Sequence, residues 1–318
     1  MRLSSSQFRG LLGGAAAERA DLLLVTNAVR LVNSVGDSLP GMILEQYDRH
    51  YVLHLLSPDW RMFRREIEGF VRERGGKYLI VKERQGAASS RPEDIHEEEW
   101  ISEAPSVTTV RERGLQFEVD LKDGLNTGLF LDMRANRSRV AALVRGRRVL
   151  NAFSYTCSFG VHCRAAGAEA VENVDISRKV LERGERNYAL NEIIPGEHEF
   201  VRMDSLEYLA MARKKGRRFG VIVLDPPSFA RHAQGTFRVK KDMPHLVEKA
   251  FQVLDFNGAM LISTNLSAMT HDQLEGLIRS VPEAKRIRTM TPLGQDQDFP
   301  GSGRIPESCL TAFFVQCD

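Results

Sequence analysis

The run Val221-Ile222-Val223-Leu224-Asp225-Pro226-Pro227-Ser228-Phe229 constrains this chain more than any other segment. Four apolar residues, most of them β-branched, read as a strand buried on both faces. An acid and two prolines then end it, because proline cannot donate to a ladder. In an open α/β sheet, ligands bind beyond the carboxyl ends of the strands. Asp225, the carbonyl groups held by Pro226 and Pro227, and the ring of Phe229 therefore fall where a ligand crevice is expected. A plain strand followed by a proline-rich turn is the competing reading, and the segments upstream weigh against it.

After Gly124, buried-strand candidates at 148–153, 170–175, 199–203, 221–225 and 259–264 alternate with helical stretches at 134–144, 161–166, 178–187, 205–215, 243–254 and 271–280. Such alternation predicts a mostly parallel, doubly wound sheet. The stretches 287–291 and 309–315 are expected to close it as an antiparallel pair. Before Gly124 the texture differs. Residues 11–32 read as a helix, 42–44 and 51–56 as a hairpin, 61–74 as a surface helix, and 78–81 as a short strand. Residues 85–99 read as a loop between domains, and 107–110 with 115–121 as a second hairpin turning at Gly114. The expected organisation is an N-terminal α+β domain over 1–105, then a larger domain over 106–318 that begins with the second hairpin.

Composition excludes several classes. Lys and Arg number 44 against 42 Asp and Glu, so bulk charge does not argue for nucleic acid, and any such surface must come from local clusters. The four cysteines (157, 163, 309, 317) have no Cys-x-x-Cys pairing; reduced thiols and no metal site are expected. No stretch is long and apolar enough to span a membrane, and the N-terminus lacks a signal-peptide pattern, so a cytoplasmic location is expected.

Residues 149–160 run from the first strand of the alternating region into its first helix. Ser154, Thr156 and Ser158 offer hydroxyl and backbone N–H groups at a helix N-terminus, suited to a carboxylate. The segment is not Gly-x-Gly-x-x-Gly, which weakens a nicotinamide reading. Asp175 closes the next strand, where Rossmann-like folds place an acceptor for a ribose hydroxyl pair. Asp204 closes the third and could accept from an adenine amino group. Each acid alone is more often a helix cap, but acids at three successive strand ends, 175, 204 and 225, favour a shared crevice. Upstream, residues 123–134 read either as a glycine-containing turn into a helix capped by Asp132, or as a segment in which Phe130 stacks on a ligand and Arg134 takes a carboxylate.

The runs Thr127–Arg134, Asn151–Thr156, Val174–Ser177 and Asp225–Phe229 occur in the same order in bacterial large-subunit ribosomal RNA methyltransferases. Over roughly 120–318 the chain resembles that family, which includes RlmI-like cytosine-C5 and RlmK-like guanine-N7 enzymes. Residues 30–43 and 81–85 are similar to the small central domain of RlmI-like proteins. The resemblance implies a Rossmann-like fold and S-adenosylmethionine (SAM) as cofactor, with S-adenosylhomocysteine as product. It implies cofactor contacts from Thr127, Phe130, Arg134, Asn151, Phe153, Ser154, Tyr155, Thr156, Asp175, Ile176, Ser177, Asp204, Ser205 and Asp225. Expected partners are ribosomal RNA or a ribosomal subunit, with a homodimer left open, and neither metal nor membrane.

Three departures stand out. Little chain precedes the central-domain match where RlmI-like proteins carry an RNA-binding PUA domain. Cys157 stands where the family usually has glycine. The strand Leu261–Ser267 has no cysteine. Carbon 5 of cytosine is a poor nucleophile, and enzymes that methylate it first add a thiolate at carbon 6. In the C5 branch that thiol ends the strand corresponding to 261–264, where this chain has Thr264-Asn265. Asn265 cannot do covalent catalysis, whereas a base nitrogen needs only alignment, a dry site and acceptors. The expected catalytic set is Asp225, Pro226, Pro227, Phe229 and Asn265, acting on a base nitrogen such as guanine N7. The resemblance to the RlmK branch extends to Asn265 and Gln297-Asp298-Phe299. Arg231, Arg238, Lys240 and Lys241 are candidate phosphate contacts; the cluster at 213–218 is as readily a solvated face. Cytosine-C5 chemistry, a protein or small-molecule substrate, and a non-catalytic SAM- or RNA-binding module remain alternatives.

Overall fold

A capping box opens the first helix: Ser4 Oγ accepts from the Gln7 N–H while the Ser4 N–H donates to Gln7 Oε1. The computed structural model describes residues 3–84, 95–124, 126–227, 229–232, 235–267, 269–301 and 310–318. The chain divides into two compact units, Met1–Asp132 with Gln295–Ser308, and Met133–Gly294 with Cys309–Asp318.

In the first unit, α1 (Ser5–Ala17) is followed by a single 3₁₀ turn at Leu22–Leu24 and then by strand β1 (Ala28–Asn33). The helix expected over 11–32 is thus correct only in its first part. Val29 and Leu31 satisfy the period of a strand as well as that of a helix, and pairing with β2 (Met42–Tyr47) decides it. β3 (His50–Leu55) completes the predicted hairpin; α2 (Arg64–Glu73) then leads to β4 (Tyr78–Arg84), parallel to β3. β5 (Ile95–Glu99), expected as loop, is an edge strand beside β4. The order is β1-β2-β3-β4-β5. Phe8 and Leu12 of α1 and Ile67 and Val71 of α2 cover one face with Leu31, Leu53 and Val81.

The other face is polar and nonetheless buried. Glu45 accepts from Arg30 Nε and Nη2 at 3.0 and 2.7 Å and from the Tyr47 hydroxyl at 2.9 Å. Tyr47 in turn accepts from Thr127 Oγ1 at 3.0 Å, and Lys82 Nζ donates to the Gly124 carbonyl. The Arg30 guanidinium lies 4.5 Å from the Phe299 ring, and its backbone N–H donates to Asp298 Oδ2 at 3.1 Å. Gly124, Thr127, Asp298 and Phe299 are therefore held by this sheet. The hairpin β6 (Val107–Glu112) and β7 (Leu115–Asp120) also falls in the first unit, whereas the expected boundary at 105/106 grouped it with the second. Backbone bonds from Asn27 N–H to Arg111 O and from Arg113 N–H to Val25 O tie it there.

The second unit holds α3 (Arg134–Ala141), β8 (Arg148–Ala152), α4 (Ser158–Ala165), β9 (Ala170–Asp175), α5 (Arg178–Leu190), β10 (Phe200–Arg202), α6 (Ser205–Lys214) and β11 (Phe219–Leu224). It continues with the two-stranded β12 (Phe229–His232) and β13 (Gly235–Arg238). Then come α7 (Val239–Phe251), β14 (Leu254–Thr264), α8 (His271–Arg279), β15 (Ile287–Leu293) and β16 (Thr311–Cys317). The sheet runs β10-β9-β8-β11-β14-β16-β15, parallel as far as β14, with β16 antiparallel to both its neighbours. This is the doubly wound sheet read from the alternating pattern, closed by the antiparallel pair. Among the described residues no helix is long and apolar enough to cross a membrane.

Candidate active site

The ladder registers align the carboxyl ends of four strands. Val174 pairs with Ala152, Ala152 with Leu224, and Leu224 with Ile262. One residue further along each strand stand Asp175, Phe153, Asp225 and Ser263. The sheet thus brings the predicted acids 175 and 225 to one edge, beside the loop that leaves β8.

That loop is strained. Phe153, Tyr155 and Cys157 have φ of 56, 48 and 59°, a left-handed conformation that side chains other than glycine rarely adopt. The surroundings hold it. The N–H of Phe153 donates to Ser205 Oγ (3.2 Å), Ser154 to Val174 O (3.0 Å), Tyr155 to Asp175 Oδ2 (3.0 Å), and Cys157 to Ser154 O (2.8 Å). Of the expected backbone donors at Ser154, Thr156 and Ser158, the Ser154 N–H therefore serves the protein itself, as do those of Phe153, Tyr155 and Cys157. Asn187 Nδ2 fixes the Thr156 carbonyl at 2.9 Å, and Ser154 and Thr156 are buried.

Cys157, the departure noted from the resembled family's usual glycine, is buried. Gly184 on α5 makes room: a Cβ there would collide with Cys157 Sγ and stand 3.0 Å from its Cβ. Burial pushes the Cys157 thiol far above the ordinary range.

Asp175 accepts from the Ser177 N–H through Oδ1 (2.9 Å) and from Tyr155 through Oδ2. Burial raises its pKa above the ordinary value of 3.8, against the pull of these backbone donors. Ile176 beside it is 51% exposed. Asp204 caps α6, its Oδ1 accepting from Leu206 and Glu207 N–H at 2.9 and 3.1 Å, so the ordinary role of such an acid is filled here. Asn151 is spent inside the sheet: its amide donates to Asn173 Oδ1 at 2.8 Å, and Asn173 donates to the Tyr188 hydroxyl at 2.9 Å. Arg134 begins α3 and is fully buried. Thr127 and Phe130 lie in the first unit, Thr127 bonded to Tyr47 and Phe130 37% exposed.

Asp225 has a partner that the sequence reading did not single out. Ser263 Oγ, buried on β14, donates to Asp225 Oδ1 at 2.7 Å. The only hint in the sequence was a hydroxyl in an otherwise apolar strand, two residues before Asn265. Pro226 is buried, Pro227 exposed, and Asn265 exposed just past β14. Arg238, Lys240 and Lys241 are exposed at the start of α7, where the Arg238 N–H donates to Asp242 Oδ2 at 2.7 Å. Ser228 and the side chains of Phe229 and Arg231 lie outside what the structure describes. Among the described residues, no group of three or more His, Cys, Asp or Glu could hold a metal ion.

A doubly wound sheet with anchored acids past β9 and β11 and a strained loop past β8 defines a Rossmann-like methyltransferase. Residues 71–313 match the S-adenosylmethionine-dependent methyltransferase family, and the chain belongs to it. It is 33% identical over 296 residues to ribosomal RNA large subunit methyltransferase I of Tolumonas auensis, covering 89% of this chain and 73% of that protein. It is 32% identical over 262 residues to ribosomal RNA large subunit methyltransferase K of Neisseria meningitidis, covering 80% and 70%. The crystal structure of SMU.776 complexed with SAH matches with a TM-score of 0.86 at 27% identity, covering 99% of this chain and 82% of that one. The residues present suit SAM. A half-buried carboxylate held from two sides is an acceptor for a hydroxyl pair, and the exposed Ile176 beside it offers an apolar face to an adenine ring.

Proposed function

We propose that this methyltransferase modifies a base nitrogen, of the guanine N7 type, in large-subunit ribosomal RNA in the cytoplasm. The RNA part of the reading is supported by the relatives, which carry that substrate in their names. The nitrogen part is supported by the end of β14. Asn265 stands there, and no described cysteine is poised as a nucleophile. Cys157, Cys163 and Cys317 are buried, with burial pushing Cys163 up to about 12 and Cys317 to about 11. A thiol held protonated does not add to a pyrimidine ring; Cys309 lies outside the described residues.

Bound SAM supplies a methyl group on a sulfonium, an electrophile that needs only an aligned lone pair. In this reading Asp175 takes the ribose hydroxyls, with Ile176 against the adenine and Arg134 on the methionine carboxylate. The loop 153–156 completes the cofactor contacts, with Ser177, Asp204 and Ser205 supporting them. Asp225, oriented by Ser263, and the carbonyl groups held by Pro226 and Pro227 accept from the edge of a base turned out of its stack, which Phe229 would face. Arg231, Arg238, Lys240 and Lys241 take phosphates.

The test is nucleoside mass spectrometry after incubation with deuterated-methyl SAM and protein-free ribosomal RNA, ribosomal subunits or transfer RNA. Label in 7-methylguanosine or another N-methyl nucleoside supports the reading. Label in 5-methylcytidine overturns the nitrogen assignment. No label in any RNA, with SAM bound, overturns the RNA substrate.

A further inference from the structure

The turn joining β6 to β7 is the two-residue connection Arg113-Gly114, and both residues are left-handed, with φ of 50 and 84°. A tight hairpin turn of this kind favours Asn, Asp or Gly at its first position, because a larger side chain at positive φ is strained. Arginine is a poor choice there for folding, and strain retained at a loop tip is a pointer to function. Arg111 is exposed two residues earlier. Neither guanidinium has a hydrogen-bond or ion-pair partner among the described residues. Glu112, between them, is fully buried and faces the other way.

These arginines form one wall of a groove of about 260 Å³; the other is the segment Leu23 to Thr26. Leu24 is 83% and Val25 39% exposed. The lining holds two guanidinium groups and no carboxylate. The walls are fastened together: Asn27 N–H and Thr26 Oγ1 both donate to Arg111 O at 3.1 and 2.7 Å, and Arg113 N–H donates to Val25 O at 2.7 Å.

We propose that this groove is a second docking point for the RNA substrate, remote in sequence from the basic cluster at 231–241, with Arg111 and Arg113 on backbone phosphates and a base or sugar against Leu24 and Val25. The proposal rests on the reading of RNA as substrate. Guanidinium forks match phosphate oxygens, and an apolar wall accepts a base face without sequence preference. An acidic peptide is the poorer fit. It would add along an edge by pairing main chains, and the N–H groups of Asn27, Arg111 and Arg113 are already used within the protein.

The test uses the full chain with protein-free large-subunit ribosomal RNA as probe. In the double variant Arg111→Glu/Arg113→Glu, the KM for RNA is expected to rise at least about tenfold, with kcat and SAM affinity unchanged. The slope of log affinity against log salt is expected to fall by roughly 1.4 to 1.8, the loss of two phosphate contacts. Arg113→Gly removes one charge while supplying the residue the turn prefers, so weaker RNA binding there cannot be ascribed to unfolding. Unchanged RNA affinity and salt slope in the double variant, while the wild type methylates RNA, overturns the groove alone. A wild type that neither binds nor methylates any RNA overturns the groove and the RNA reading together. A defect seen with assembled subunits and not with protein-free RNA assigns the groove to a protein partner and overturns its RNA occupancy.

Discussion

The hydroxyl of Ser263 donates to Asp225 Oδ1 across 2.7 Å, joining the end of β14 to the acid that follows β11. One carboxylate oxygen is thereby committed to the protein, and the rotation of the group is set. If Asp225 accepts from the target base, Ser263→Ala leaves it misoriented and lowers kcat/KM. The expected loss is about 10- to 100-fold, the scale of one hydrogen bond to a charged group. SAM affinity stays unchanged. Asp225→Ala, by contrast, abolishes methyl transfer with the fold intact. Full activity in Ser263→Ala by a radiolabelled methyl assay would reduce the serine to a pin between strands.

Asp175 predicts a pH effect. Its folded pKa is raised by burial, so protonation begins at higher pH than for an ordinary aspartate. The ionised form is the better acceptor for ribose hydroxyls. SAM affinity should therefore be full at neutral pH and fall as pH drops through a midpoint above 3.8. Asp175→Ala should weaken binding by about 1–3 kcal/mol and remove that dependence. Calorimetry across this range checks both; a flat profile in the wild type would refute the ribose role.

Cys157 and Gly184 form a size-matched pair. Gly184→Ala should destabilise the protein by about 1–3 kcal/mol, because the new methyl has nowhere to go. In a Cys157→Gly background the same change should cost far less, since the obstructing thiol is gone and a glycine suits φ of 59°. A double-mutant cycle from urea unfolding measures the coupling, and additive effects would contradict the contact.

Glu45 anchors the polar face of the first unit. Burial pushes its pKa up, but Arg30, with His54 adding to it, overcomes this and holds the carboxyl well below its ordinary value of 4.5. A lowered folded pKa means stability that is present above the unfolded value and lost as pH falls below it. Glu45→Gln strands a buried guanidinium and should cost about 3–5 kcal/mol, with a smaller acid dependence left in the variant. Unfolding at neutral and acid pH tests both statements.

Much of the second unit was legible because buried parallel strands announce themselves. The apolar run Val221–Leu224, and the shorter stretches ending at Ala152 and Asp175, alternate with helical segments, the pattern of a parallel sheet covered on both faces. Legibility failed where periodicity carries two meanings or none. Val29 and Leu31 fit either period, and the polar Ile95–Glu99 is a strand only because the edge of β4 accepts it. Of the site, the strand-end acids were visible as isolated letters, but what each one bonds was not. Asp204 reads like Asp175 in the sequence and caps a helix in the fold. Asn151 looks like part of the cofactor loop and is spent on Asn173. Ser263 lies 38 residues from Asp225, and only the register of β11 against β14 connects them.

The position of β16 also governs the order in which this protein can be assembled. β14 and β15 do not pair with each other; each pairs with β16, which is made after both and after the excursion of 295–308 into the first unit. During synthesis β14 therefore waits with an open edge, and β15 has no sheet partner at all. An exposed strand edge is a hazard for mispairing between chains. The docking of β16 between β14 and β15 is the step that closes this edge.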